Sequence, residues 1–213
     1  MTPPKIAIID YGLGNTYSVL RAIESIGLSA KLTCDRNEIL SADFAILPGV
    51  GAYGKAMERL TSSGLDSVVK EFVKKGNPFL GICVGMQLLT DNGEEFGNTS
   101  GLGIIPGNVT KINLDNSNLQ NKKTPIIGWK KVQLSKFQKS NKKIIFQEDC
   151  NTFYFVHSYQ ANINDKTQIL ATYDCGDFSV TAAIEKDNVT GVQFHPERSS
   201  VHGQLFLQRF LDV

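Results

Sequence analysis

The chain has 213 residues, 41% apolar and 20% charged, with a formal net charge of +1. That is enough for a sizeable core in one domain, 1–213, and the near-neutral balance argues against nucleic acid or an anionic membrane surface as a partner. No apolar run approaches the ~20 residues that span a bilayer. MTPPKIAIIDYG, with one lysine and a short apolar run ending in aspartate, does not have the form of a signal peptide.

KIAIID (5–10) reads as a buried strand stopped by the turn-forming YGLGN. Val19, Leu20, Ile23 and Ile26 follow at helical spacing, and Gly27 closes that helix. SAKLT and DFAILP are the next strands. A helix around 53–60 and a second over LDSVVKEFVKKG lead to the strand PFLGI (78–82), and VGMQLLTD begins another helix. Strands alternating with helices indicate βαβ units and a parallel sheet. From Gly101 onward VTKINL, WKKVQL, TFYFVHSYQA, TQILATYD, FSVTAAIEK and TGVQF are β-rich, as antiparallel strands with one wet face would be. VHGQLFLQRFLDV reads as a closing amphipathic helix, and LDNSNLQNKK (114–123) as an exposed loop. The expected fold is α/β, parallel in its first half and mixed in its second.

Cys34, Cys83, Cys150 and Cys175 show no Cys-x-x-Cys spacing and no nearby histidine pair. That argues against zinc and against a disulfide framework, and leads to the expectation of a cytoplasmic protein with free thiols and no cofactor. Only Cys83 has glycine two places before and two places after it. G-x-C-x-G between a strand and a helix has the form of a nucleophile elbow. Gly81 and Gly85 would let backbone come close, and the following helix would aim its unpaired N–H groups at the sulfur. The N–H of Val84 and a glycine-flanked N–H of the PGVGAYG loop (48–54) are candidate oxyanion donors. The competing reading is a strand-to-helix corner that happens to hold a buried cysteine.

A cysteine nucleophile needs a base, and the chain offers His157, His195 and His202. In GVQFHPERSS, Pro196 favours an extended residue before it. Glu197, two places on in an extended segment, would then share the side of His195 and hold its imidazole. His202 opens the last helix and suits a surface or capping role. His157 in FYFVHSY reads either as a satisfied core histidine or as a wall of the site.

GICVGMQLL and FHPE resemble the nucleophile and base phrases of the class I glutamine amidotransferases. PGVGAYG, YFVHSY and IDYGLGN resemble those of the glutaminase subunits of imidazole glycerol phosphate synthases, along essentially the whole chain. The resemblance implies a flavodoxin-like domain that hydrolyses glutamine to glutamate and ammonia. It also implies a heterodimer in which a (β/α)₈-barrel cyclase subunit consumes the ammonia in histidine biosynthesis.

By position, Cys83 is the nucleophile, His195 the base and acid, and Glu197 its orienter. Val50, Gly51 and Val84 fall at the oxyanion hole. Gln87, Glu95, His157 and Ser158 fall in the substrate pocket, with Glu95 facing the α-ammonium of glutamine. Relatives carry Pro-His-hydrophobic-Gly-Trp-Asn at the partner-facing surface. Here the phrase is PIIGWKKV, with Ile126 for histidine, Lys130 for asparagine and Trp129 kept; Arg198 stands for the customary lysine. Two other readings accompany this one. A paralogous glutaminase could feed a sugar amidotransferase in surface polysaccharide synthesis, or the IDYGLGN turn could belong to a non-catalytic nucleotide-binding module. That turn lacks the third glycine of a dinucleotide fingerprint.

Overall fold

The computed structural model describes residues 3–113, 124–137, 146 and 151–212. The expected loop 114–123 and Cys150 lie outside the described residues. The first half alternates as its pattern implies: β1 (Ile6–Ile9), α1 (Thr16–Ser25), β2 (Ala30–Thr33), α2 (Arg36–Leu40), β3 (Phe44–Gly49), α3 (Tyr53–Ser62), α4 (Leu65–Lys74), β4 (Phe79–Cys83) and α5 (Val84–Gln87). The β-rich half supplies β5 (Asn92–Gly93), β6 (Thr99–Ser100), β7 (Gly107–Lys111), β8 (Ile126–Leu134), β9 (Thr152–His157), β10 (Tyr159–Ile163), β11 (Ile169–Cys175), β12 (Phe178–Lys186) and β13 (Val189–Val192). The helix α6 (Ser200–Phe210) follows.

Local chemistry accounts for the main elements. In α4, Leu65, Val68, Val69 and Phe72 repeat at helical spacing and are all buried. Helix α1 ends in a Schellman motif: Leu28 N–H bonds to the Ile23 carbonyl and Gly27 N–H to that of Glu24, with Gly27 at φ 84°. Helix α2 is capped by Asp35, whose carboxylate accepts from the Glu38 N–H. This helix is absent from the sequence-based expectation. The helix expected over VGMQLLTD is a single turn, so it lacks the summed dipole of a longer helix.

Nine strands form one sheet in the order β2-β1-β3-β4-β13-β12-β11-β8-β9. The run from β2 to β13 is parallel, and the pairs from β13 outward are antiparallel. With right-handed crossovers, the reversal of direction at β1 puts α1 and α2 on opposite faces. Strand β4 is buried along its whole length, as a central parallel strand covered on both sides should be. A second sheet, β10-β7-β5-β6, stands beside the first. TFYFVHSYQA, expected as one strand, divides at Ser158: β9 closes the large sheet and β10 opens the small one.

The pairing of β13 with β4 positions the site. Gly191 lies opposite Gly81 and Val192 opposite Ile82, while on the other side Gly49 of β3 lies opposite Cys83. The loops that leave β3, β4 and β13 therefore emerge side by side at the carboxyl edge of the sheet, where open α/β folds bind ligands.

Candidate active site

Cys83 takes φ 55° and ψ −112° at the corner between β4 and α5. Such a conformation costs a non-glycine residue roughly 1–3 kcal/mol and persists only where its surroundings hold it. The flanking glycines are what hold it. A Cβ on Gly81 would stand 2.7 Å from the Gly85 carbonyl oxygen, and one on Gly49 would stand 2.5 Å from the Gly85 nitrogen. The sulfur is not thrust into solvent: Cys83 is buried and forms part of the floor of a cavity of about 770 Å³.

His195 reaches the same cavity from the end of β13. Its Nδ1 and the Glu197 Oε1 are 2.8 Å apart, with both side chains almost wholly buried. The residues come together differently from the extended geometry expected. His195 is extended, at φ −104° and ψ 94°, but Pro196–Arg198 is a 3-10 turn that brings Glu197 back beneath the ring. Asn15 Nδ2 also donates to Glu197 Oε1, at 3.4 Å, and Ser18 fixes Asn15 through a 2.6 Å bond.

The backbone of His195 is clamped to β9. Its N–H donates to the Tyr154 carbonyl, Tyr154 N–H donates to Ser199 Oγ, and that hydroxyl donates to the His195 carbonyl at 2.6 Å. The neighbouring Phe194 stacks on Phe153 at 3.9 Å. Burial alone would lower the proton affinity of His195. Cys83 and Glu197 outweigh it and raise the pKa to about 10, so the ring is an imidazolium at neutral pH. Nε2, the nitrogen not bound to Glu197, has no hydrogen-bond partner by geometry, although Cys83 is the neighbour that acts on it most strongly.

The remaining expected residues gather unequally. Val50, Gly51 and Val84 line the cavity near the sulfur. Gln87 and Glu95 line it too, and the Tyr53 N–H holds the Glu95 carboxylate at 2.7 Å. Ser158 lies where the chain passes from one sheet to the other, in the cavity wall. His157 beside it is both things the sequence offered, a wall of the cavity and a satisfied core residue. The Tyr159 carbonyl can only accept, so Nδ1 carries the proton, and Nε2 then accepts from the Tyr173 hydroxyl at 2.9 Å. Burial, opposed by the Tyr159 bond, lowers the His157 pKa to about 4. Its nitrogens are thus committed to protein rather than turned to a ligand.

Trp129 and Arg198 both lie against Tyr154, Trp129 edge-on at 6.2 Å and the guanidinium 5.1 Å from the ring centroid. Arg198 also borders the cavity. Lys130, next to Trp129 on β8, faces the other way, and its charge acts on His157. His202 stands edge-on to Phe153. Among the described residues no cluster of His, Cys, Asp or Glu could hold a metal, and Cys34, Cys83 and Cys175 are free.

The glutamine amidotransferase class-I family model matches residues 7–213. The chain belongs to this family. Among similar proteins is imidazole glycerol phosphate synthase subunit HisH of Listeria monocytogenes serotype 4a (strain HCC23). It is 42% identical over 208 residues, 98% of this chain and 95% of that one. The subunits of the same name from Zymomonas mobilis and Bacillus subtilis are 42% and 38% identical, over 97% and 96% of this chain and 95% and 94% of theirs. Among solved structures, PurLQS from Thermotoga maritima matches with a TM-score of 0.72 at 18% identity, covering 99% of both chains. A structure titled glutamine amidotransferase matches at 0.69 and 16%, covering 97% of both. These last two establish the amidotransferase fold alone. No helix among the described residues is long and apolar enough to cross a membrane.

Sequence reasoning missed Asn15, Tyr154, Ser199 and Gln193. Asn15 belongs to the YGLGN turn, which was considered for nucleotide binding; Gly14 and Asn15 instead border the Cys83 cavity. Gln193 shares the period-two side of His195, a signal that was available.

Proposed function

We propose that this amidotransferase hydrolyses glutamine to glutamate and ammonia as the glutaminase subunit of an imidazole glycerol phosphate synthase in histidine biosynthesis. In this reading it passes the ammonia to a (β/α)₈-barrel cyclase subunit. The observation that carries the chemistry is the meeting in one cavity of the Cys83 sulfur and His195, with Glu197 2.8 Å behind the ring. The similarity to three synthase subunits over nearly their whole length supports this customer over a sugar amidotransferase.

In this proposal Cys83 attacks the side-chain amide carbon as a thiolate facing the His195 imidazolium. The carbonyl electrons move to oxygen, met by the N–H of Val84 and one from the Val50–Gly51 loop. As the tetrahedral adduct collapses, His195 gives its proton to nitrogen, the C–N bond breaks, and ammonia leaves a thioester behind. Water then attacks the thioester carbon, its proton going to the now neutral His195. The C–S bond breaks, and thiolate and imidazolium are restored with glutamate as product. Glu197 keeps the tautomer and stabilises the charged ring. Glu95 receives the α-ammonium, Gln87 and Ser158 border the chain of the substrate, and His157 braces the wall.

Free ammonia in neutral water is mostly protonated and cannot act as a nucleophile, so it needs a covered route to its acceptor. The cavity rim suits a docked partner. Val50 and Phe96 border it with 38% and 91% exposure, and Ile127 and Trp129 share the outward side of β8. Trp129 and Arg198 are the proposed interface residues, with Lys130, expected there from the sequence, on the other side of β8, and the same setting makes the cytoplasm the proposed compartment.

The test is labelling with a diazoketone analogue of glutamine followed by peptide mapping. Modification of Cys83, lost in Cys83→Ala, is expected. Glutamine-protectable labelling elsewhere would remove the mechanism. Complementation of an auxotroph lacking the synthase glutaminase tests the customer, and failure despite good expression would favour the sugar route.

A further inference from the structure

Gln193 is completely buried one residue beyond β13, between the strand and His195. Its Nε2 donates to Cys83 Sγ at 3.6 Å, and its Oε1 accepts from Gln87 Nε2 at 2.9 Å. Gln87 Nε2 also donates to the Tyr159 carbonyl, at 3.3 Å. The direction of this chain is fixed at its far end. A backbone carbonyl can only accept, so the Gln87 amide must turn its nitrogen toward Tyr159. That nitrogen also meets Gln193, which must answer with oxygen. The Gln193 amide is thereby obliged to aim N–H, and not C=O, at the sulfur.

The orientation has chemical consequences. An N–H beside sulfur favours the anion that attacks the substrate, whereas a carbonyl oxygen there would repel it. We propose that Gln193 is a further catalytic residue, whose amide N–H steadies the reacting sulfur, and that Gln87 is a positioning residue that sets the polarity of that amide. The assignment rests on Cys83 being the nucleophile. It gives Gln87 a role beyond bordering the substrate: the cavity wall and the sulfur are joined by two hydrogen bonds in series.

The experiment is the rate of alkylation by iodoacetamide, which needs no substrate pocket, on the full chain at fixed pH. Peptide mass spectrometry reads Cys83, with the exposed Cys34 as an internal reference. Gln193→Leu is expected to slow Cys83 labelling about tenfold or more, with Cys34 unchanged. Gln87→Met removes the donor that holds the Gln193 oxygen away from the sulfur without adding a charge, and is expected to slow labelling without touching the sulfur. In the double variant Gln87→Met, Gln193→Leu the rate should equal that of Gln193→Leu alone, because no amide remains to be turned.

Labelling of Gln193→Leu within twofold of the parent would overturn the proposal, as would effects of the two substitutions that simply multiply. If melting curves show Gln193→Leu unfolded, the isosteric Gln193→Glu takes its place, with the same expected slowing. Because labelling is read without glutamine, loss of the glutaminase reading and loss of this one are separable. A chain inactive on glutamine that still shows the linked labelling pattern would refute only the former.

Discussion

A methyl group on the α-carbon of Gly85 would stand 1.9 Å from the carbonyl oxygen of Leu47. Both partners are backbone, Leu47 in the central strand β3 and Gly85 in the turn of α5 packed on it, so neither can swing away. Gly85→Ala should therefore destabilise the fold by about 3 kcal/mol or more. It should also silence the site, because relief requires moving the corner that carries Cys83. Urea unfolding checks the first effect. A soluble Gly85→Ala protein with parental stability would contradict the packing described.

His157 makes stability depend on acid. Its folded pKa of about 4 lies below the ordinary 6.5, so the unfolded chain takes up a proton that the fold refuses. The contribution is present above about pH 6.5 and is lost as pH falls toward 4, at most on the order of 3 kcal/mol. Denaturant titrations at pH 7.5 and 4.5 should show this loss, and His157→Gln should show a smaller difference between the two. An equal acid loss in both proteins would place the sensitivity elsewhere.

His195 has the opposite sign. Its folded pKa near 10 means that its stabilisation is complete below about 6.5 and disappears as pH rises through 10. Ring NMR signals of His195 should not titrate between pH 6 and 9. In Glu197→Gln the titration should move down, and glutamine turnover should fall about 100-fold or more. A wild-type midpoint near 6.5 would refute the description of His195 as an imidazolium.

Tyr11 is a buried phenol whose hydroxyl has no hydrogen-bond partner, and burial, then the nearby Cys83, pushes its proton affinity up. Deleting an unsatisfied buried hydroxyl removes a cost and no bond. Tyr11→Phe should raise stability by up to about 1 kcal/mol and leave turnover within a few-fold. A loss of more than about 1 kcal/mol, seen as a lowered melting temperature, would mean that the hydroxyl has a partner after all.

Ser199→Ala should act at a distance from the substrate. It removes a hydroxyl that both accepts from Tyr154 and donates to His195. A loss of about 1–3 kcal/mol is expected, with kcat lowered more than KM is raised. A change confined to KM would argue against a role in holding the base.

Much of this site was legible because period-two and elbow arguments act over a few residues. G-x-C-x-G located the strand-to-helix corner that brings Cys83 to the cavity, and His195 with Glu197 were paired by spacing, although through a 3-10 turn and not an extended chain. The capped helix α2 was missed despite Asp35 and Glu38 at capping-box spacing, because five residues are too few to display a periodic face. The division of TFYFVHSYQA at Ser158 was invisible because alternation continues through it; only the position of the second sheet decides which strand ends there. Gln193 was open to the period-two argument through His195, whereas Ser199 and Asn15 depend on partners more than 40 residues away along the chain. No local pattern announces such contacts.

The insertion of β13 between β4 and β12 has a consequence for synthesis. The sulfur-bearing corner leaves the ribosome long before the segment that will lie beside it, and the sheet cannot close until that late strand arrives. A nascent chain that has not yet reached β13 carries the sulfur without His195 beside it, and so should be unable to turn over glutamine.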